Sequence, residues 1–254
     1  MLTREEFIQD RERVFDKVYG ALSGLAIGDS FGDASRKPEN RANYAVTTDF
    51  NKGASWSTDD TEFALLTAKT LIRCGGKLTT EECVRSWMED VVTQDEYKRG
   101  GASEIEAANN LRKGIMPPLS GKYNSFRMSD GSSMRIGPVG IMCAGDPEKA
   151  REYARIESEV SHYDDGIWGA QAVAAAVSVA MVDGTMDEIM AAAMEAIPQD
   201  SWLYYNMTSG YAGQKRRKHT AHLDGSPRLP VDQHLGHHSG GNSLCLCVPQ
   251  GHAR

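Results

Sequence analysis

The chain has 254 residues, of which 40% are hydrophobic and 25% charged, ordinary proportions for a globular chain and enough for one large domain or two small ones. Its net charge of −7 argues against a general nucleic-acid or membrane binder. The longest apolar run, 172–182, is too short for a bilayer, which needs about 20 residues. The charged opening MLTREEFIQDRERVF lacks the apolar core of a signal peptide, and five irregularly spaced cysteines suit a reducing compartment, so a cytoplasmic location is expected.

In chain order, residues 5–27 place Phe7, Val14, Phe15, Val18, Leu22 and Leu25 at mostly three- and four-residue steps, which predicts an amphipathic helix. Ala21, Gly24 and Gly28 lie among them, suited to close helix approach or a turn. A long non-helical stretch is expected over 28–57, then a helix opening at WSTDDTEFALL, 56–66, with a Ser57/Asp60 capping box. Further boxes pair Thr79 with Glu82, Ser103 with Glu106 and Thr185 with Glu188. A second non-helical stretch is expected over 114–137, and long loops in compact domains are more often functional than incidental. Asp146 at an N-cap and Pro147 at the first helical position open another helix. Asp164 and Asp165 cap an alanine-rich helix over 165–183 whose small residues predict burial between neighbours. No run of alternating strands appears, so the fold class is all-α.

The character changes near residue 206. Residues 210–254 lack helical periodicity, hold six Lys/Arg against two Asp, and contain six of the seven histidines. The chain is therefore divided into a helical domain over 1–205 and an atypical tail over 206–254, read as a disordered extension or a C-terminus altered by a frameshift. His234, His237, His238 and the CLC at 245–247 match no zinc-ligand spacing, and KRRKH at 215–219 has no interleaved aromatics to suggest nucleic-acid binding.

Asp59, Asp60 and Glu62 crowd one helix start. Capping and dipole compensation account for about two such residues, at about 0.5–2 kcal/mol. Asp59 is then either a solvated first-turn acid or, with Asp60 and the Thr58 hydroxyl, part of a hard-cation site for Mg²⁺ or Mn²⁺. Gly131, Ser132, Ser133 and Gly137 in SDGSSMRIGPVG offer amides and hydroxyls to phosphate or ribose, or form a plain turn before a helix. Arg135 either neutralises phosphate or is a buried structural arginine. His162, the one histidine before the tail, is a polar or capping residue or a ligand contact. Asp29 either satisfies local backbone or orients the metal cleft.

GALSGLAIGDSFGDA (20–34), WSTDDTEFALL (56–66), DGSSMRIGPVGI (130–141) and SHYDDGIWGAQAVAAA (161–176), in that order, resemble the ADP-ribosylglycohydrolase family over about 14–205. The resemblance implies a compact, orthogonal, all-α multi-helix domain with two Mg²⁺ or Mn²⁺ ions in a cleft. Thr58, Asp59 and Asp60 match the first metal-ligand group, which makes Asp59 and Asp60 catalytic as well as metal-holding. The loop with Gly131, Ser132, Ser133 and Gly137, and with it His162, would hold ADP-ribose. The substrate implied is an ADP-ribosylated protein or an ADP-ribose-containing small molecule, with neither nucleic acid nor membrane as partner.

Two departures stand out. The acidic residue that faces the scissile bond in many family members falls near Arg36, with Asp33 or Glu39 as substitutes. The second metal-ligand group, an Asp-x-Asp-Thr-like segment near the C-terminus, has no counterpart, so the domain reads as C-terminally incomplete. The expected function is hydrolysis of an ADP-ribosyl glycosidic bond. The alternatives are an impaired relative that binds ADP-ribose or is structural, and a metal-dependent phosphoesterase, which the ordered loop motifs disfavour.

Overall fold

The computed structural model describes residues 1–36, 56–94 and 100–210; among these every regular element is helical and none is a strand. The helices are α1 (Arg4–Gln9), α2 (Arg11–Arg36), α3 (Asp59–Arg73), α4 (Thr80–Trp87), α5 (Ala102–Arg112), α6 (Leu119–Lys122), α7 (Gly131–Arg135), α8 (Gly137–Met142), α9 (Pro147–Ser158), α10 (Asp165–Met181) and α11 (Met186–Glu195). A π-turn, Met88–Val92, follows α4, and residues 202–210 are helical, crossing the position where the sequence changes character. No helix among the described residues is long and apolar enough to cross a membrane.

α10 is the central element and packs against α7, α8, α9 and α11. Its alanines make this possible: Ala170, Ala174 and Ala175 are fully buried. A side chain at Gly140 on α8 would come within 2.6 Å of Val177 Cβ and 2.7 Å of the Ala174 carbonyl, so only glycine lets α8 lie this close. The main core gathers Phe63, Trp87, Leu111, Ile136, Val139 and Val160; a second cluster joins α10 to α11 through Val179, Ile189 and Ile197. Phe7 seals the far end of α10 against Met181 and Val182, with Val14, Val18 and Ala21 of α2 alongside.

Several caps fall where the sequence places them. Thr185 and Glu188 form a reciprocal capping box; the Thr79 hydroxyl accepts the Glu82 amide; Asp146 accepts the Lys149 amide ahead of Pro147. Other expectations are corrected. The helix expected over 5–27 is two helices, and the second runs on to Arg36, so 28–36 is not loop. Ser30 and Ala34, four residues apart, are buried there and packing overrides the local glycines. Phe15 is not in the core: it is 72% exposed and stacks on Tyr19 at 6.1 Å between ring centroids. Ser103 and Glu106 form no box; Gly101 occupies the N-cap of α5 and Ser103 instead donates to Glu104 at 2.9 Å. Ser57 is not the cap of α3, because Thr58 holds that position without a side-chain cap bond. Asp164 is the N-cap of α10 with φ of 50°, again without a side-chain cap bond. The stretch 114–137 is broken by α6 and α7 rather than open throughout.

Candidate active site

α3 begins without a cap of its own, and α2 supplies one. Asp29 Oδ1 accepts the Thr58 hydroxyl at 2.5 Å; Oδ2 accepts the Thr58 amide at 2.7 Å, the Thr61 hydroxyl at 2.6 Å and the Thr61 amide at 3.2 Å. One carboxylate thus satisfies two of the amides that a helix start leaves unpaired. Burial pushes Asp29 up, but the bonds from Thr58 and Thr61 outweigh it and hold the carboxyl below the usual aspartate range. Next to it, the Trp56 amide donates to Ser30 Oγ at 3.1 Å and the Trp56 indole to Asp33 at 3.0 Å. Asp33 is therefore held by an indole; Arg36 closes α2, and Glu39 lies outside the described residues.

Because Asp29 caps α3, Asp59 and Asp60 are not required for that task. Thr58 gives its hydroxyl proton mainly to Asp29, with Asp60 a longer second acceptor at 3.3 Å, so the Thr58 oxygen keeps lone pairs for a cation. Thr58, Asp59 and Asp60 offer hard oxygen donors at the positive end of a helix, a donor set of the kind Mg²⁺ and Mn²⁺ take. It is a partial set: among the described residues no group of three or more His, Cys, Asp and Glu side chains is gathered to hold a metal.

α7 packs beside α3 and carries Gly131, Ser132 and Ser133, and both border a buried polar core built on Arg135. This side chain, 1% exposed, donates to Glu157 at 2.8 Å, Glu104 at 3.0 Å, the Gly131 carbonyl at 3.0 Å and Ser161 Oγ at 2.7 Å. Its guanidinium lies over Trp87 at 5.2 Å and Phe63 at 6.0 Å. Of the two roles open to Arg135, the structural one holds. Burial raises the pKa of Glu104, with Arg135 opposing it.

The loop residues turn inward. Ser132 is fully buried and donates to the Gly166 carbonyl at 2.8 Å; Ser133 Oγ faces Gly169, where a side chain would meet it at 2.9 Å. His162 is fully buried, with Nδ1 2.7 Å from Ser161 Oγ and Nε2 3.1 Å from Ser129 Oγ. Burial, helped by Arg135, holds its pKa well below the ordinary histidine value. Gly131 lies against it, since a side chain there would come 3.0 Å from His162 Cε1. Gly131, Ser132, Ser133 and His162 are thus one cluster, while Gly137 sits apart, 3.3 Å from Leu25 Cδ1 by the same measure. Sequence reasoning missed Glu104, Ser129 and Ser161; nothing in a single chain distinguishes them from surface polar residues until α5, α7 and α9 are packed.

The ADP-ribosylglycohydrolase family model matches residues 10–244. A protein named ADP-ribosylarginine hydrolase Tri1, from Pseudomonas putida (strain GB-1), is 27% identical over 196 residues, covering 73% of this chain and 52% of that protein. An uncharacterized protein of Archaeoglobus fulgidus is 25% identical over 187 residues, 69% of this chain and 59% of its own length. The uncharacterized protein YegU of Escherichia coli (strain K12) is 28% identical over 202 residues, 72% of this chain and 58% of its own. The chain spans little more than half the length of these relatives.

Proposed function

The chain belongs to the ADP-ribosylglycohydrolase family, and from that premise we propose that it hydrolyses an ADP-ribosyl glycosidic bond with a hard divalent cation, Mg²⁺ or Mn²⁺. The observation that carries the reading is the cap of α3: Asp29 performs it from another helix, and the acids at 59 and 60 exceed what the helix start needs.

In this reading Thr58, Asp59 and Asp60 hold the cation, and Asp29 accepts the hydrogen bond of the Thr58 hydroxyl, which leaves the oxygen's lone pairs for the cation. When bound, the cation supplies positive charge that polarises ribose hydroxyls and water. Gly131, Ser132 and Ser133 line the ADP-ribose side as backbone, with the serine hydroxyls used inward to fix the loop. His162, held neutral, positions Ser129 and Ser161 rather than presenting charge. Water replaces the leaving group at the anomeric carbon through an oxocarbenium-like transition state. The substrate is an ADP-ribosylated protein or small molecule; the name of the Pseudomonas relative favours an arginine linkage.

A second reading, an ADP-ribose-binding relative without turnover, is favoured by one observation. Among the described residues no group of three or more His, Cys, Asp and Glu side chains is gathered to hold a metal. Two measurements on the full chain separate them: calorimetric ADP-ribose binding, and Mn²⁺-dependent release of ADP-ribose from modified arginine and serine peptides. Binding with release supports hydrolysis. Binding without release supports the second reading and sinks the first.

A further inference from the structure

Glu104 is buried at 1% exposure in α5, between the two halves of the proposed site. Its two oxygens border different glycines. A side chain at Gly101 would lie 2.6 Å from Glu104 Oε2 and 3.2 Å from Asp59 Oδ2, so both carboxylates border that glycine. A side chain at Gly131 would lie 2.4 Å from Glu104 Oε1 and 3.0 Å from His162 Cε1. The chain has glycine at both places, and the Glu104 carboxylate spans the gap from α3 to the ligand loop.

The loop end of this bridge is fixed. Glu104 Oε1 accepts from Arg135 at 3.0 Å, and the same guanidinium holds the Gly131 carbonyl at 3.0 Å. At the α3 end Glu104 Oε2 accepts from Ser103 Oγ at 2.9 Å, a neutral donor that brings no positive charge. Arg135 is shared with Glu157, so one guanidinium serves two carboxylates, and Asp59 adds a third negative group near Glu104. Asp59 and Glu104 carry like charge and repel across Gly101, and a cation at Asp59 offsets that repulsion.

We propose, resting on the functional reading above, that Glu104 is a positioning residue that couples the halves of the site: a divalent cation at Asp59 relieves the repulsion on Glu104, strengthens its hold on Arg135 and, through Arg135, keeps the loop ready for ADP-ribose. By linkage, each ligand then tightens the other by the same factor.

The test is calorimetric titration of the full chain with ADP-ribose, without and with saturating Mn²⁺, in wild type and Glu104→Gln. The amide keeps the shape and an acceptor for Arg135 but removes the charge. Wild type is expected to gain about fivefold or more in ADP-ribose affinity with Mn²⁺, within the usual range of such couplings. A Glu104→Gln variant that melts cooperatively is expected to bind ADP-ribose equally with and without the metal. Should it not fold, Gly101→Ala replaces it, with Mn²⁺ binding titrated beside it, since the added methyl must displace Glu104 or Asp59; a variant that still binds Mn²⁺ is expected to show the same loss. A gain retained in these variants overturns the proposal, and it is also what simple Mn²⁺–diphosphate association would give. A wild type that binds both ligands independently overturns the coupling and leaves the functional reading standing; one that binds neither removes both.

Discussion

Asp29 sits on α2 but works for α3, accepting two amides and two hydroxyls. Asp29→Asn replaces one of those acceptor atoms with a donor and leaves half-buried partners unpaired. The expected loss is about 1–3 kcal/mol, read from urea denaturation, together with weaker Mn²⁺ binding. Because its folded pKa is depressed, the stability from Asp29 is present above the ordinary aspartate range and is lost as pH falls through the folded value. His162 has the same sign for a different reason. Its folded pKa lies well below that of the unfolded chain, so stability falls as pH drops below about 6.5, with a slope approaching about 1.4 kcal/mol per pH unit. Measured against His162→Asn, that slope is expected in wild type alone, since the tail histidines are common to both. Arg135→Met is expected to cost about 3–5 kcal/mol, because Glu104 and Glu157 are left buried without their cation. These roles were unequally legible. The surplus of acids at 59, 60 and 62 shows in the sequence, whereas the choice between phosphate and core partners for Arg135 is made by α5 and α9, which the chain brings to it from 31 and 22 residues away.

At the scale of the element, α10 was readable because its alanines and valines leave no polar face, and such a helix must be enclosed. The last turns of α2 were not, because GDSFGDASR carries the glycines and short polar residues of a loop. What makes it helical is tertiary: Ser30 and Ala34 are buried and Asp29, Ser30 and Asp33 hold Trp56, Thr58 and Thr61. The Ser103–Glu106 box failed for a related reason, since Ser103 is drawn into the polar core instead. Gly140→Ala tests the close approach of α8 to α10. The methyl would meet Val177 and the Ala174 carbonyl, and a loss of about 1–3 kcal/mol is expected in a denaturant titration. Thr185→Ala, which removes the hydroxyl side of a real capping box and keeps the amide bond to Glu188, is expected to cost about 1 kcal/mol, with the site untouched.

At the scale of the molecule, the order of four motifs made the family legible before any packing was known, and the family match over 10–244 agrees with it. The helical class was legible for the same reason: each motif sits at a helix start or helix contact. The geometry of the site was not, because its parts come from α2, α3, α5, α7 and the turn before α10. The central claim is that the acids of α3 hold a catalytic cation. The direct measurement is the Mn²⁺-dependent release of ADP-ribose from an ADP-ribosylated arginine peptide by the full chain, beside the double variant Asp59→Ala, Asp60→Ala. Release by wild type, lost on chelation and lost in a folded double variant, is the predicted result; release that persists in that variant would contradict it.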